Sequence, residues 1–172
     1  MTPTNVIKTV YLSLGSNVGD REANLREAIK KLDDLGKVTR SSHFYETAPM
    51  EITRQPWFIN CAVEVETALM PRQLLSALLR IERAMGRRRS AANAKGPRTI
   101  DIDILLFGNT VMQTAVLTLP HPAMHQRRFV LAPLAEIAAD AIHPVFKRSI
   151  RDLGEALPSS AGAVRVLAGK GH

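Results

Sequence analysis

The spacing of apolar residues changes character several times along the chain, and each change marks an element. Val10 to Leu14 reads as a buried strand, closed by the turn Gly15-Ser16-Asn17-Val18-Gly19. Asp20 suits an N-cap, and Leu25, Ala28, Ile29 and Leu32 then recur at helical spacing between charged residues until Gly36 ends the helix. Val38 to Tyr45, rich in Ser, Thr and aromatics, predicts a second strand, and Glu46 to Pro56, with Pro49 and Pro56, a loop. Phe58 to Glu66 predicts a third strand. Pro71 fits a first helical turn, Leu74, Leu78, Ile81 and Met85 form an apolar stripe, and Gly86 is the stop. Ile100 to Phe107 reads as a fourth strand, followed by a turn at Gly108-Asn109 and a short extended piece around Val111.

This order, β-α-β-β-α-β, predicts an α+β fold of the ferredoxin-like kind: an antiparallel sheet with both helices on one face, plus C-terminal additions. Those additions begin with a Pro-His-Pro turn past Thr118. A helix from Arg128 through Ile137 follows, kinked or restarted at Pro133. No internal repeat is visible. The expectation is a single domain over residues 1–172, with 1–7 and 158–172 as flexible tails.

Composition narrows the class. Of 172 residues, 45% are hydrophobic and 23% charged, enough for a core and against wholesale disorder. No apolar stretch approaches the roughly 20 residues that span a bilayer, and Met1 to Thr9 lack the pattern of a secretory signal. A single cysteine, Cys61, excludes a disulfide framework, so the expected compartment is the cytosol. The net charge of +7 suits a polyanionic partner: nucleic acid, anionic membrane or phosphorylated small molecules. Part of the excess is local. Arg87, Arg88, Arg89, Lys95 and Arg98 lie between Gly86 and Arg98 with no acidic residue among them, which favours a site over a generally basic coat.

The sharpest chemical feature is Asp101-Ile102-Asp103. On a strand the two carboxylates face the same way, about 7 Å apart, while Ile100, Ile102, Ile104 and Leu106 face the core. Two such anions suit a Mg²⁺ ion completed by phosphate oxygens and water; the alternative is a solvated edge strand. The basic run alone reads as a solvated charge run. Beside the two aspartates, the arginines complete the parts needed for Mg-dependent phosphoryl transfer, and the combination favours a triphosphate site. In Trp57-Phe58-Ile59-Asn60, Phe58 and Asn60 on one side would offer a stacking surface and an amide to a flat heterocycle; taken singly they read as a core aromatic and a strand-end Asn. Gly15-Ser16-Asn17 lacks the lysine of a Walker loop. His121 and His125 have no evident third ligand for zinc, and His43 and His143 read as strand or loop residues.

Several motifs occur together and in order: Leu14-Gly15-Ser16-Asn17, Gln55-Pro56-Trp57-Phe58-Ile59-Asn60, Ile81-Glu82, Gly86-Arg87, Gly96-Pro97-Arg98-Thr99-Ile100-Asp101-Ile102-Asp103-Ile104, Leu119-Pro120-His121-Pro122 and Arg127-Arg128-Phe129. With these the chain resembles the 6-hydroxymethyl-7,8-dihydropterin pyrophosphokinases of folate biosynthesis. The resemblance implies transfer of diphosphate from ATP to the pterin hydroxymethyl group with release of AMP. It implies Asp101 and Asp103 as ligands of two Mg²⁺ ions, and Arg87, Arg89 and Arg98 on the triphosphate, the first two from a closing loop. Further nucleotide contacts are implied for Glu82, Ile104, Thr118 and His121. For the pterin it implies a sandwich between Phe58 and Phe129, pairing with Asn60, edge contacts from Thr47, Pro49 and Met50, and Arg127 nearby. The further expectation is a monomer that acts on small molecules, without nucleic acid or membrane. The sequence departs from the family pattern at Lys95, where an aromatic is common, at Ala48, where a proline is common, and in the additional Arg88. The rival readings are an RNA-binding module, which lacks the necessary aromatic run, and a non-catalytic nucleotide-binding regulatory domain.

Overall fold

The computed structural model describes residues 6–47, 57–86 and 99–167. Its centre is an antiparallel sheet of β1 (Lys8–Ser16), β2 (Lys37–Ser41), β3 (Tyr45–Thr47), β4 (Phe58–Thr67), β5 (Asp101–Phe107) and β8 (Val164–Val166), in the order β5-β1-β4-β3-β8, with β2 also against β4. Since β1 pairs along β4 from Ile59 to Thr67, β2 and β3 follow one another along its other edge. The remaining strands, β6 (Met112–Gln113) and β7 (Thr118–Leu119), form a small hairpin.

Alternation along the central strands divides the interior in two. Val10, Leu12, Leu14, Cys61, Val63, Val65, Ile102 and Ile104 face one side. There they meet α1 (Arg21–Leu32) through Leu25, Ala28 and Leu32, and α2 (Pro71–Ala84) through Leu74, Leu78 and Ile81. On the other side Ala62, Leu105 and Leu106 pack against Val130, Leu131, Leu134 and Ile137 of α3 (Arg128–Ala138) and Ile150 and Leu153 of α4 (Ile150–Glu155). Helices therefore cover both faces: the first two lie on one, the C-terminal additions on the other.

Local chemistry explains the helix ends. Asp20 accepts a hydrogen bond from the Ala23 N–H at 3.1 Å, the expected cap of α1. Gln73 accepts from the Met70 N–H at 2.8 Å at the start of α2, and Gly86, at φ +94, ends it in a conformation open to glycine.

Several expectations are corrected. The first strand does not stop at Leu14; Gly15 and Ser16 continue it, paired with Asn60 and Ile59. The expected second strand over Val38–Tyr45 is broken between β2 and β3, where the Ser42 hydroxyl accepts from the Ala62 N–H at 2.9 Å and takes the place of a backbone partner. Glu46 and Thr47 belong to β3 rather than to a loop. In β5 the register against β1 shifts between Tyr11 and Leu12, leaving Leu105 as an extra residue. As a result Leu106 faces the α3 side and Phe107 the α1 side, opposite to a strict alternation. Pro133 lies inside α3 without dividing it, because the buried face on either side outweighs one missing backbone hydrogen bond. The expected tail from Pro158 holds a 3₁₀ turn at Ser159–Ala161 and β8, paired with β3; residues 168–172 lie outside the described part.

Candidate functional site

Sheet register brings the sequence candidates into rows. Asp101 lies opposite Gly15, Gly15 opposite Asn60, and Asn60 opposite Tyr45. One step along, Asp103 lies opposite Ser13 and Ser13 opposite Ala62. Residues directly opposite share a face, and Ala62 identifies it as the α3 side. Asp101 and Asp103 are both half-buried there. The acidic strand and Asn60 are two interstrand spacings apart, about 10 Å, with only a glycine between them.

That glycine is required by its neighbour. A Cβ on Gly15 would lie 2.6 Å from Asn60 Nδ2 and 3.6 Å from the Phe58 ring, so the Asn60 side chain lies across the bare backbone of β1. Its orientation is set from the other side, where the Thr47 hydroxyl donates to Asn60 Oδ1 at 2.7 Å. Both residues are buried, at 4% and 5% exposure, so the amide is held rigidly with its Nδ2 on the Gly15 side. Thr47 is opposite Phe58 in register, which puts Thr47, Phe58 and Asn60 in one patch.

The second group comes from the segment before α3. The His121 N–H donates to the Leu105 carbonyl at 2.9 Å, fixing this segment beside β5. His121 Nδ1 accepts from the Ala123 N–H at 3.1 Å, so the ring proton sits on Nε2. Burial lowers the His121 pKa to about 4, helped by the positive charge of Arg127 and opposed by the negative charge of Asp101. At neutral pH His121 is thus a neutral N–H donor within the field of both residues. Arg127 caps α3, and its guanidinium lies 5.6 Å from the centre of the Phe129 ring in the first turn. Phe129 packs on the α3-side core.

Other candidates occupy different surroundings. Glu82 is 1% exposed, and its carboxylate accepts from the Ile102 N–H at 2.8 Å, tying α2 to the outer edge of β5. The Ile104 side chain is in the α1-side core, so what it can offer a ligand is its backbone. Thr118 and His121 line a cleft of about 400 Å³ together with Val111, Leu119, His125 and Phe146. His125 contacts Phe146 edge-on at 4.7 Å, and His143 accepts through Nδ1 from the Val145 and Phe146 N–H groups, a turn-forming role. His43 and Tyr45 both donate to Glu136. Pro49, Met50, Arg87, Arg89 and Arg98 lie outside the described residues, as do Ala48, Arg88 and Lys95. The residue missed on the sequence is Gly15, read as part of a turn; a glycine continuing an apolar strand was the available signal of a close approach.

Among the described residues no group of three or more His, Cys, Asp or Glu side chains could hold a metal. Two half-buried carboxylates on one face fit a Mg²⁺ that takes its remaining ligands from phosphate and water. Among the described residues no helix is long and apolar enough to cross a membrane.

Residues 11–139 match the family model described as 7,8-dihydro-6-hydroxymethylpterin-pyrophosphokinase. A 2-amino-4-hydroxy-6-hydroxymethyldihydropteridine pyrophosphokinase of Bacillus subtilis is 48% identical over 129 residues, covering 74% of this chain and 76% of its own length. The protein of the same name from Aquifex aeolicus is 38% identical, covering 84% of this chain and 89% of its own. The mitochondrial folate synthesis bifunctional protein of Pisum sativum is 46% identical over 77% of this chain, but the chain spans only 26% of that longer protein. Among solved structures, Plasmodium falciparum HPPK-DHPS with SDX-DHP has a similar fold, with a TM-score of 0.72, 18% identity and coverage of 90% of this chain and 45% of that one.

Proposed function

Because the chain belongs to the 7,8-dihydro-6-hydroxymethylpterin-pyrophosphokinase family, we propose that it transfers diphosphate from ATP to the hydroxymethyl group of 6-hydroxymethyl-7,8-dihydropterin, with AMP as the other product, in folate synthesis. The observation that carries this reading is the row Asp101–Gly15–Asn60, which sets an acidic pair about 10 Å from a buried, Thr47-oriented amide. One end suits the phosphates, the other a flat heterocycle with a hydrogen-bonding edge.

The hydroxymethyl oxygen attacks the β-phosphorus in line and gives up its proton to solvent, the bond from that phosphorus to the bridging α-oxygen breaks, and AMP leaves with the oxygen. Little covalent work falls on the protein, so positioning and charge dominate. Asn60 and Thr47 orient the pterin edge, with Pro49 and Met50 beside them. Phe58 and Phe129 bound its faces. Arg87, Arg89 and Arg98 bind the triphosphate, His121 donates from Nε2 to a phosphate oxygen, and Arg127 adds positive charge nearby. Glu82, Ile104 and Thr118 complete the nucleotide side. Asp101 and Asp103 would hold Mg²⁺, two ions in this reading, which when bound supply charge neutralisation to the triphosphate oxygens. The β5-β1-β4-β2 core is ferredoxin-like in this reading, and the whole chain acts as one cytoplasmic, monomeric domain on small molecules, without nucleic acid.

Incubation with ATP, Mg²⁺ and hydroxymethyl-dihydropterin tests it. The expected result is pterin-dependent formation of AMP in equal amount to pterin diphosphate. Release of ADP, or AMP formation independent of pterin, overturns the reading.

A further inference from the structure

Two of the residues placed around the pterin, Thr47 at its edge and Phe58 against its face, are each next in sequence to a residue gripped by the same pair of arginines. Glu46 precedes Thr47, and its carboxylate, with the side chain 13% exposed, lies 3.9 Å from Arg21 and is also bonded by Arg165. Trp57 precedes Phe58. Its carbonyl accepts from Arg21 at 2.6 Å, and its ring lies 5.2 Å beneath the Arg165 guanidinium. Glu46 is opposite Ile59, whose side chain is in the α1-side core, whereas Thr47 is directed to the α3 side. Among the described residues, the arginines therefore work on the back of the sheet and act on the pocket through the backbone of β3 and the start of β4.

The element that brings Arg165 there is held on its own account. In β8, Val164, Arg165 and Val166 are opposite Thr47, Glu46 and Tyr45, and the Leu167 N–H donates to the Phe44 carbonyl at 2.8 Å. Upstream, Arg128, one residue before Phe129, donates to the carbonyls of Pro158, at 3.0 Å, and Gly162. Strand β8 and the Pro158 and Gly162 carbonyls that Arg128 holds lie beyond residue 139, where the family match ends.

We propose that Arg165 on β8, together with Arg21, is a positioning residue for the pterin pocket, locking Glu46–Thr47 to Trp57–Phe58 so that Thr47, Asn60 and Phe58 keep their spacing. The inference rests on the pterin reading of those three residues. Steady-state kinetics of Arg165→Ala and Arg165→Lys, with thermal melting, test it. Arg165→Ala is expected to raise the pterin KM about fivefold, the scale of one partly exposed ion pair. The ATP KM and kcat should stay at parental values, and the melting temperature should fall by no more than the loss of that one ion pair allows. Arg165→Lys, which keeps the charge, should recover most of the pterin KM. An unchanged pterin KM in Arg165→Ala, or a parallel rise in both KM values with a fall in melting temperature, overturns the inference. Phe58→Ala, assayed alongside, separates the two layers. If it leaves the pterin KM unchanged, the pocket reading fails; if it raises that KM while Arg165→Ala does not, this inference alone fails.

Discussion

A methyl group on Gly15 would come within 2.6 Å of Asn60 Nδ2, a contact that must displace the amide or the strand. The amide is the softer partner, but it is buried and bonded to Thr47, so moving it breaks a 2.7 Å hydrogen bond. Gly15→Ala is therefore expected to lower pterin affinity about tenfold, within the usual 1–3 kcal/mol of overpacking, and to leave ATP affinity as it was. Calorimetric titration with each ligand measures both, and parental pterin affinity would remove Asn60 from the pocket. Two strands away the argument concerns charge rather than shape. Asp101→Asn and Asp103→Asn keep the side-chain volume but each withdraw one negative charge from the paired face. Turnover should fall at least a hundredfold, roughly 3 kcal/mol of barrier, with the melting temperature unchanged or raised, since two like charges on one face no longer repel. Near-parental turnover in both variants would refute the metal reading.

At the scale of elements, Glu136 joins α3 to the β2–β3 edge: the Tyr45 hydroxyl donates to it at 2.6 Å, and the His43 N–H and ring bond it as well. Burial alone would raise its pKa, but these hydrogen bonds outweigh burial and hold the carboxyl below the ordinary carboxylate range. A depressed acid stabilises the fold above its unfolded pKa, and that contribution is lost as pH falls through the folded value. Glu136→Gln should accordingly lower the melting temperature at neutral pH and flatten its decline below about pH 4.5, the ordinary carboxylate range; melting curves from pH 3 to 7 check this. An unaltered acid limb would show that the Tyr45–Glu136 contact is not thermodynamically coupled to the fold. Such cross-element contacts mark the boundary of what the sequence makes legible. The helices are readable because Leu25, Ala28 and Leu32, or Leu74, Leu78 and Ile81, repeat with the helical period over several turns. The Asp101/Asp103 face is readable because a strand alternates. Past Ile104 the run Leu105-Leu106-Phe107 is uniformly apolar, so nothing in it reveals the extra residue that turns Leu106 to the α3 side. Strand β8 is equally silent: Val164-Arg165-Val166 alternates, but over three residues, and its partner β3 is just as short. Of the proposed site, the residue types of Asp101, Asp103, Phe58 and Asn60 can be read in the sequence, whereas the Thr47–Asn60–Gly15 fit exists only once β1, β3 and β4 are in register.

For the molecule as a whole, the question is whether the two sides of the sheet can come apart. The α1–α2 core and the α3–α4 core are built on the same strands: Leu12 and Tyr11, neighbours on β1, pack into opposite cores, as do Cys61 and Ala62 on β4. Losing either core exposes one face of strands that the other still needs, so the two should unfold together. Trp57, the only tryptophan in the chain, makes this measurable. Its ring lies under Arg165 at the β3–β8 edge, so its fluorescence reports that edge, whereas far-UV circular dichroism reports the helices on both faces. Leu131 is 1% exposed in the α3 core, and Leu131→Ala should cost about 2–5 kcal/mol through lost burial and a residual cavity. If the sheet couples the two cores, that cost lowers the urea midpoint by the same amount in both signals, as two-state unfolding requires. If instead dichroism shifts while the Trp57 transition stays at its parental midpoint, the α3–α4 side unfolds on its own. In that case Phe129 on α3 and Arg127 at its N-cap could leave the proposed pterin pocket while Phe58, Asn60 and Thr47 stay in place, and that pocket would be assembled between two separately stable parts rather than carried by one.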